Sequence, residues 1–391
     1  PIALGDVTIT FAGSLQVPGI VEYIHPLHNL AMVSYDPKLI GDTPVQAAVF
    51  SEKDLIVGEK TWVTGLKGDH QLIYQETTVA SIDPLNLPLS RTMRFRDSNI
   101  ESISLVNAPV NIDGVLVDKD GKIAAKWVSF AYESGGELGQ INGGISAPII
   151  KEFITLVISE EPVFSLEAEL GYMPLFAARK LGLSDKWLNK IENHNSHRRR
   201  LLVIRRIVAG SSASEYLKNG DIILTIDDEI VSSFRGLERK IRNPKVSIKI
   251  WRDLKTHVFE IEPAVLLGTG INHVVSWAGT LLQNPHRSMA AQRAIEPNGI
   301  YVAFFNYGSP ASRYGLWAGR SIVGIDEDLT PDLETFIDII KQKKDNSSLR
   351  IRTITWNGAT EVVTIKPDNH YWPAYEIRRN NKDWSRFPII H

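Results

Sequence analysis

The stretch SSASEYLKNGDIILTIDD, Ser211 to Asp228, decides how the second half of this chain folds, because the chain carries it twice. Ala213, Tyr216, Gly220, Ile223, Ile226 and Asp227 recur in order as Ala311, Tyr314, Gly319, Ile322, Ile325 and Asp326 within SPASRYGLWAGRSIVGIDED, Ser309 to Asp328. The offset is 98 residues for the first two pairs and 99 for the others, so one residue is inserted between them. Each copy follows an apolar strand (VIRRIV; GIYVAFF) and precedes a helix candidate (RGLERKI; PDLETFIDIIKQ) and a closing hairpin (VSIKIW; LRIRTITW). A repeat of this length reads as one domain of about 100 residues present in two copies.

The sequence before the repeat has a different rhythm. Residues 1–156 are short apolar segments such as VTITFAG, LAMVSY, KTWVTGL and LIYQETTVASI, separated by turn residues. Period-2 alternation and the Asp118-Lys-Asp-Gly121 turn argue for antiparallel hairpins, and a barrel protects that many strand edges economically. No long helical period is expected here, and APIIKEFITLVI is counted among the strands, with Ser146 leading into it. After about residue 160 the composition shifts, and FAARKLGLSDKWLNKIENHNSHRRR has helical spacing. The last stretch, HYWPAYEIRRNNKDWSRFPIIH, is too short for a core of its own. Its Trp372, Tyr375, Trp384 and Phe387 are expected along a domain surface, with a disordered tail as the alternative.

Composition sets bounds. A chain of 391 residues exceeds one ordinary core and suggests two or three domains. A formal charge of -2 gives no global field for nucleic acid or anionic lipid. The absence of cysteine excludes disulfides and thiol chemistry and is compatible with a reducing compartment. No run of about 18 apolar residues predicts a helical membrane span. The opening PIALGDVTITF is already strand-like, with neither Met nor a charged leader, and reads as a piece of something longer.

The repeat is also where a family resemblance appears. An apolar strand, then G-S-x-A, then L-x-x-G-D-x-I-x-x-I-D and a helix resembles the PDZ domains attached to HtrA-type serine proteases. Such domains take a peptide carboxyl terminus by strand addition with a backbone nest for the carboxylate. The candidate nests are the loops opening each copy, Gly171-Tyr172-Met173-Pro174-Leu175 and Trp277-Ala278-Gly279-Thr280-Leu281, with a packing role as the alternative. Pro174 lacks one N–H that a nest would use. The expected order is a degenerate chymotrypsin-like double β-barrel over 1–156, PDZ-like α/β domains over 157–265 and 266–370, and a tail over 371–391. The fold class is thus mainly β with small helices.

The family's acid motif D-L-A matches His28-Asn29-Leu30-Ala31, which puts Asn29 at the aspartate. Its nucleophile motif G-N-S-G-G-P, aligned on Gly143-Gly144 in QINGGISAP (140–148), puts Asn142 at the serine. The histidine equivalent would precede residue 1. Over nearly its whole length the chain is similar to the second, degenerate half of fungal nuclear HtrA-like proteases. Those are tandems of two protease-like units, each followed by two PDZ-like domains, with the first unit intact. An amide is no nucleophile at neutral pH, and losing the triad aspartate alone costs about 10⁴ in rate. The resemblance therefore implies no catalytic residues, no metal and no cofactor in this chain.

Three other features are weighed. Ser146 with His25 or His28 as base lacks any G-x-S-x-G context and reads as structural. The pair His25-Pro-Leu-His28 is a weak metal signal without a third ligand and reads as a turn between strands. The basic cluster His197-Arg-Arg-Arg200, with Arg205 and Arg206, reads as a solvated loop leading into a strand, with nuclear import and nucleic acid as lesser alternatives. Two roles then compete. One is a regulatory, scaffolding half that acts on an active protease unit upstream in the same chain, in the nucleus by resemblance. The other is an adaptor that binds peptides or protein carboxyl termini.

Overall fold

The computed structural model describes residues 7–389 apart from 12, 70, 90–96, 110–111, 135–136, 196–197, 269, 288–289, 291–293, 295, 356 and 381–382. Strands β1 (Val7–Phe11), β2 (Leu15–Ile24) and β3 (Ala31–Ser34) form an open sheet, so His25–His28 is the turn between β2 and β3. Six further strands close a barrel: β4 (Lys60–Leu66), β5 (Leu72–Pro84), β6 (Glu101–Val106), β7 (Asp113–Val117), β8 (Ile123–Ser134) and β9 (Glu137–Ser146). Alternation aims Val63, Leu116 and Trp127 inward, all fully buried, as the period-2 reading requires. Of the two barrels that the resemblance implies, the second is closed. The first is represented, among the described residues, by β1–β3.

The segment expected as the last strand is a helix, α1 (Ala147–Ile158), with Ser146 at its N-cap. Ile149, Ile150, Phe153 and Val157 recur at spacings of three and four and pack on the barrel core. Pro148 sits in the first turn, where its missing N–H costs nothing. The short apolar run concealed this period, because strand and buried helix look alike over such a length.

The first repeat unit opens with β10 (Val163–Ser165) and β11 (Ala168–Pro174). It continues with α2 (Leu175–Lys180), α3 (Asp185–His194), β12 (Arg200–Ile207), α4 (Ser212–Tyr216), β13 (Ile222–Ile226), β14 (Glu229–Ile230) and α5 (Phe234–Lys240). Strands β15 (Val246–Arg252), β16 (Lys255–Ile261) and β17 (Ala264–Leu266) complete it. Its sheet runs β11-β12-β13-β15-β16, and β10 pairs with β17 where the unit's two ends meet.

The second unit comprises β18 (His273–Trp277), β19 (Thr280–Gln283), β20 (Ile300–Phe305), α6 (Pro310–Tyr314), β21 (Ser321–Ile325), β22 (Asp328–Leu329) and α7 (Leu333–Lys341). After these come β23 (Leu349–Ile354), β24 (Thr360–Ile365), β25 (Tyr375–Asn380) and β26 (Asp383–Pro388). Its sheet runs β24-β23-β21-β20-β19-β18-β25-β26. The tail expected along the surface instead extends this sheet by backbone pairing, with Trp384 and Phe387 exposed.

The repeat is physical as well as textual. Ser211 and Ser309 cap α4 and α6 by accepting the N–H of Ser214 and Ser312, each at 3.2 Å. Gly220 and Gly319, at φ 93° and 87°, donate to Ile204 and Val302 carbonyls. Asp227 and Asp326, both left-handed, accept the N–H of Ser247 (2.8 Å) and Arg350 (2.9 Å). Ile223, Ile226, Ile322 and Ile325 are fully buried in their two cores.

Candidate functional site

Residues 140–146 are strand rather than loop. The β8–β9 ladder sets Asn142 opposite Ser129 and Gly143 opposite Val128. Backbone groups committed to a ladder do not converge on one oxyanion. The two glycines have a packing reason, since β6 crosses β9 closely. A Cβ on Gly143 would stand 2.0 Å from Ser102 Oγ, and one on Gly144 3.0 Å from Ile103 Cβ. The Asn142 side-chain nitrogen is buried without a partner. Asn29 is exposed, and its backbone N–H donates to Asp97 Oδ1 at 2.7 Å. Ser146 donates to Asp54 rather than to a histidine.

Between the barrel and the first repeat unit lies a cavity of about 270 Å³, lined by Ser146 and His28 but not by Asn29 or Asn142. Helix α5 forms one wall. Its Glu238 meets His28 Nε2 at 3.0 Å, and Arg235 reaches Glu152 (2.7 Å) and Asp54 (3.3 Å). Arg239 Nε donates to the same Glu152 carboxylate at 2.9 Å. Burial opposes ionisation of Glu152, but the two arginines prevail and hold its pKa below the usual value. The i,i+4 spacing of Arg235 and Arg239 in FRGLERK is visible in the sequence. Their partners, 83 and more residues away, are not.

His25 and His28 stack with ring centroids 4.8 Å apart. His25 Nδ1 accepts the N–H of Leu27 (3.2 Å) and His28 (3.0 Å), which occupies one nitrogen a metal would need. Among the described residues no three His, Cys, Asp or Glu side chains cluster closely enough for a metal ion. Burial, aided by His28, pushes His25 down to about 2. Burial also opposes the charge on His28, but Glu238 and then Asp97 raise its pKa above the ordinary value.

A group with a raised folded pKa stabilises below its unfolded pKa and loses that contribution as pH rises through the folded value. Glu238→Gln is therefore expected to weaken the protein by about 1–2 kcal/mol at mildly acid pH. Unfolding free energies of wild type and variant should converge above the raised His28 value, His25 cancelling in the difference. A pH-independent difference would show that His28 carries no charge here.

The sequence candidates at the openings of the two units take different forms. Gly171–Pro174 belongs to β11, the edge of its sheet, and Leu175 begins α2, so this stretch is not a loop. Trp277–Leu281 is a tight β18–β19 hairpin, with Ala278 and Gly279 at φ 51° and 83°. The carbonyls of that turn are taken, Ala278 O by Ala311 N–H and Gly279 O by Asn306 N–H. Trp277, Ala278 and Thr280 are fully buried. Strand β19 has β20 on one side and β18 on the other, so no edge remains for an added peptide.

Tyr172 is the candidate that lies at the contact between units. Its ring stacks on Phe234 (4.4 Å) and beneath the Arg200 guanidinium (3.4 Å). Its hydroxyl accepts from Phe234 N–H and donates to Glu101 Oε1 at 2.9 Å. Burial, then Glu101, raises the phenol's pKa. The basic cluster leads into β12 with Arg198, Arg199 and Arg205 exposed, as expected, and its arginines also pair within the protein. Arg198 and Arg200 pair with Glu101, Arg199 with Glu192, Arg206 with Glu169, and Arg205 bonds Asn86. His197 lies outside the described residues.

Comparison with known proteins gives this geometry a family. No family model matches. The chain is 30% identical over 402 residues to the pro-apoptotic serine protease NMA111 of Debaryomyces hansenii, covering 100% of this chain and 41% of that protein. It is 32% identical over 389 residues to a PDZ domain-containing protein of Schizosaccharomyces pombe, covering 98% and 39%. Among solved structures, an HtrA-type protease AlgW variant with a decapeptide aligns at TM-score 0.44 and 18% identity, covering 68% of this chain and 76% of that one. The chain thus spans about two fifths of the length of the curated relatives it matches. With a closed barrel, two repeated PDZ-like units and this full-length similarity, the chain belongs to the HtrA-like serine protease family.

Proposed function

We propose that this chain is a non-catalytic regulatory and scaffolding part of an HtrA-like serine endopeptidase. The observation that carries the reading is the Gln140–Ser146 ladder, with asparagine at the position that matches the nucleophile motif. A barrel kept folded and fastened by ion pairs to the next unit suits a surface that holds or gates an active protease unit of the parent chain. The relative's name links that protein to apoptosis, and the same role, in the nucleus, is proposed for the parent of this chain. The occupied edge of β19 argues against a constitutive peptide adaptor.

Restoring the motif residues is expected to restore nothing. The Asn29→Asp/Asn142→Ser variant, treated with a fluorophosphonate probe and with unfolded casein, should show neither labelling nor turnover above buffer. Covalent labelling of wild type that disappears in Ser146→Ala would overturn the reading. The role itself is tested by assaying the parent protease with and without residues 1–391. Unchanged activity and assembly would remove it.

A further inference from the structure

Strand β26 is one end of the second unit's sheet, and the register shows which of its backbone groups face outward. Antiparallel neighbours alternate between pairs that exchange both hydrogen bonds and pairs that exchange none. Ile389 donates to Ala374 O at 3.0 Å, which phases the ladder, so Phe387 and Ser385 bond Glu376 and Arg378 across it. Trp384 and Arg386 alternate with these and aim N–H and C=O away from β25. Arg379, opposite Trp384, shows the same phase by donating its own N–H away from β26, to Asn272 O at 2.8 Å. Among the described residues nothing pairs with the outward groups of Trp384 and Arg386. Pro388 has no N–H and ends the usable edge.

The edge is held in place from behind. Arg379 Nη2 donates to Val21 O of β2 at 2.6 Å, and Ile389 is buried in the unit's core. Trp384 and Arg386 are exposed and, two residues apart on one strand, share a face. The Arg386 guanidinium carbon lies 3.7 Å from the centroid of the Tyr375 ring.

We propose that this edge pairs with the same edge of a second molecule of this chain, antiparallel about a two-fold axis at Ser385. Trp384 and Arg386 of one molecule then exchange backbone hydrogen bonds with Arg386 and Trp384 of the other, and the two sheets become one. Charge selects this register. An axis at Arg386 would set two guanidinium groups directly opposite, whereas an axis at Ser385 sets each guanidinium opposite an indole. Arg386 already lies against Tyr375, so the indole of the other molecule places the cation between two rings. The contact uses the same patch on both molecules, and pairing about the two-fold therefore closes at a dimer. A single strand pair is a small interface, so association is weak, with a Kd of roughly tens of micromolar. The dimer goes beyond the regulatory reading and does not rest on it.

Sedimentation velocity on residues 1–391, from low to high micromolar concentration, should show a reversible monomer–dimer equilibrium. Arg386→Pro removes an outward N–H at a position where its loss breaks no bond to β25, and should raise the Kd about tenfold or more. Arg386→Ala keeps that N–H and should raise the Kd less. Trp384→Ser removes the indole, should raise the Kd about fivefold, and serves if the proline variant does not fold. Amide exchange at Trp384 and Arg386 should slow as concentration rises, while Thr360–Ile365 at the other end of the sheet exchanges at a constant rate. A chain that stays monomeric at high micromolar concentration overturns the proposal, and so does a trimer. A dimer that neither Arg386→Pro nor Trp384→Ser weakens, or that leaves exchange at Trp384 and Arg386 unchanged, also overturns it.

Discussion

Replacing Trp277 by alanine is expected to destabilise the second PDZ-like unit by about 3–5 kcal/mol, the range for deleting a buried aromatic side chain. The indole is 1% exposed and meets Phe336 edge-to-face, with centroids 5.4 Å apart and planes at 88°. It ties the β18–β19 hairpin to α7, so the void it leaves is lined by groups from both and collapses poorly. For a unit of about 100 residues this loss lowers its melting midpoint by more than about 10 °C. Differential scanning calorimetry, with limited proteolysis to assign the transition, gives the readout. The sequence offered Trp277 as a peptide-loop residue, and the two roles separate cleanly. A binding-loop tryptophan would lose ligand affinity with little change in midpoint, and that result would refute the packing role.

A second large effect is expected at Asp221, the aspartate of the Gly-Asp pair in the repeated motif. Its carboxylate, 1% exposed, accepts from Arg252 Nε at 2.6 Å, from Arg252 Nη2 at 2.5 Å and from Lys218 N–H at 2.7 Å. The hydrogen bonds that Arg252 donates to Asp221 are the main cause of its raised pKa. Asp221→Ala leaves the Arg252 charge without its carboxylate, with the Tyr216 carbonyl as remaining acceptor, and the Lys218 N–H unpaired, at a cost of about 3 kcal/mol. The second copy carries Arg320 at this position, and it reaches Glu361 and Thr353 instead. Urea unfolding of Asp221→Ala should therefore lower the first unit's midpoint and leave the second unchanged. Equal shifts in both, or no shift in the first, would show that the pair does not carry this stability.

The motif could be read without the structure because everything it encodes is local. A serine that caps a helix, a glycine at positive φ, an isoleucine pair on one strand face and an aspartate in a left-handed turn act over a few residues. Both copies keep them. The barrel was legible for the same reason, since alternation is a property of each strand alone. The asparagines at positions 29 and 142 are read from the sequence by motif match, and an amide is no nucleophile at neutral pH.

Segments whose state depends on a neighbour were not legible. The match of QINGGISAP to the nucleophile motif did not show that its glycines serve a close approach of β6 and lie in a ladder. APIIKEFITLVI is apolar enough for a strand, and the barrel core it packs against makes it a helix. The ends of the sheets were also beyond reach, so Gly171–Pro174 and the tail are strands and Trp277–Leu281 is a hairpin.

What the sequence by itself determined is the two copies, their turns and caps, and the asparagines at the positions that match the acid and nucleophile motifs. What only the tertiary structure decided is that α5 walls a cavity with Ser146 and His28, and that Asn99 and Glu101 cover β11. Glu101 and Arg198 are 97 residues apart in the chain, and Asp54 and Arg235 are 181 apart. Periodicity and capping carry information over one or two turns of helix. Which carboxylate meets which arginine is settled only when two finished surfaces, each folded by its own core, are brought together.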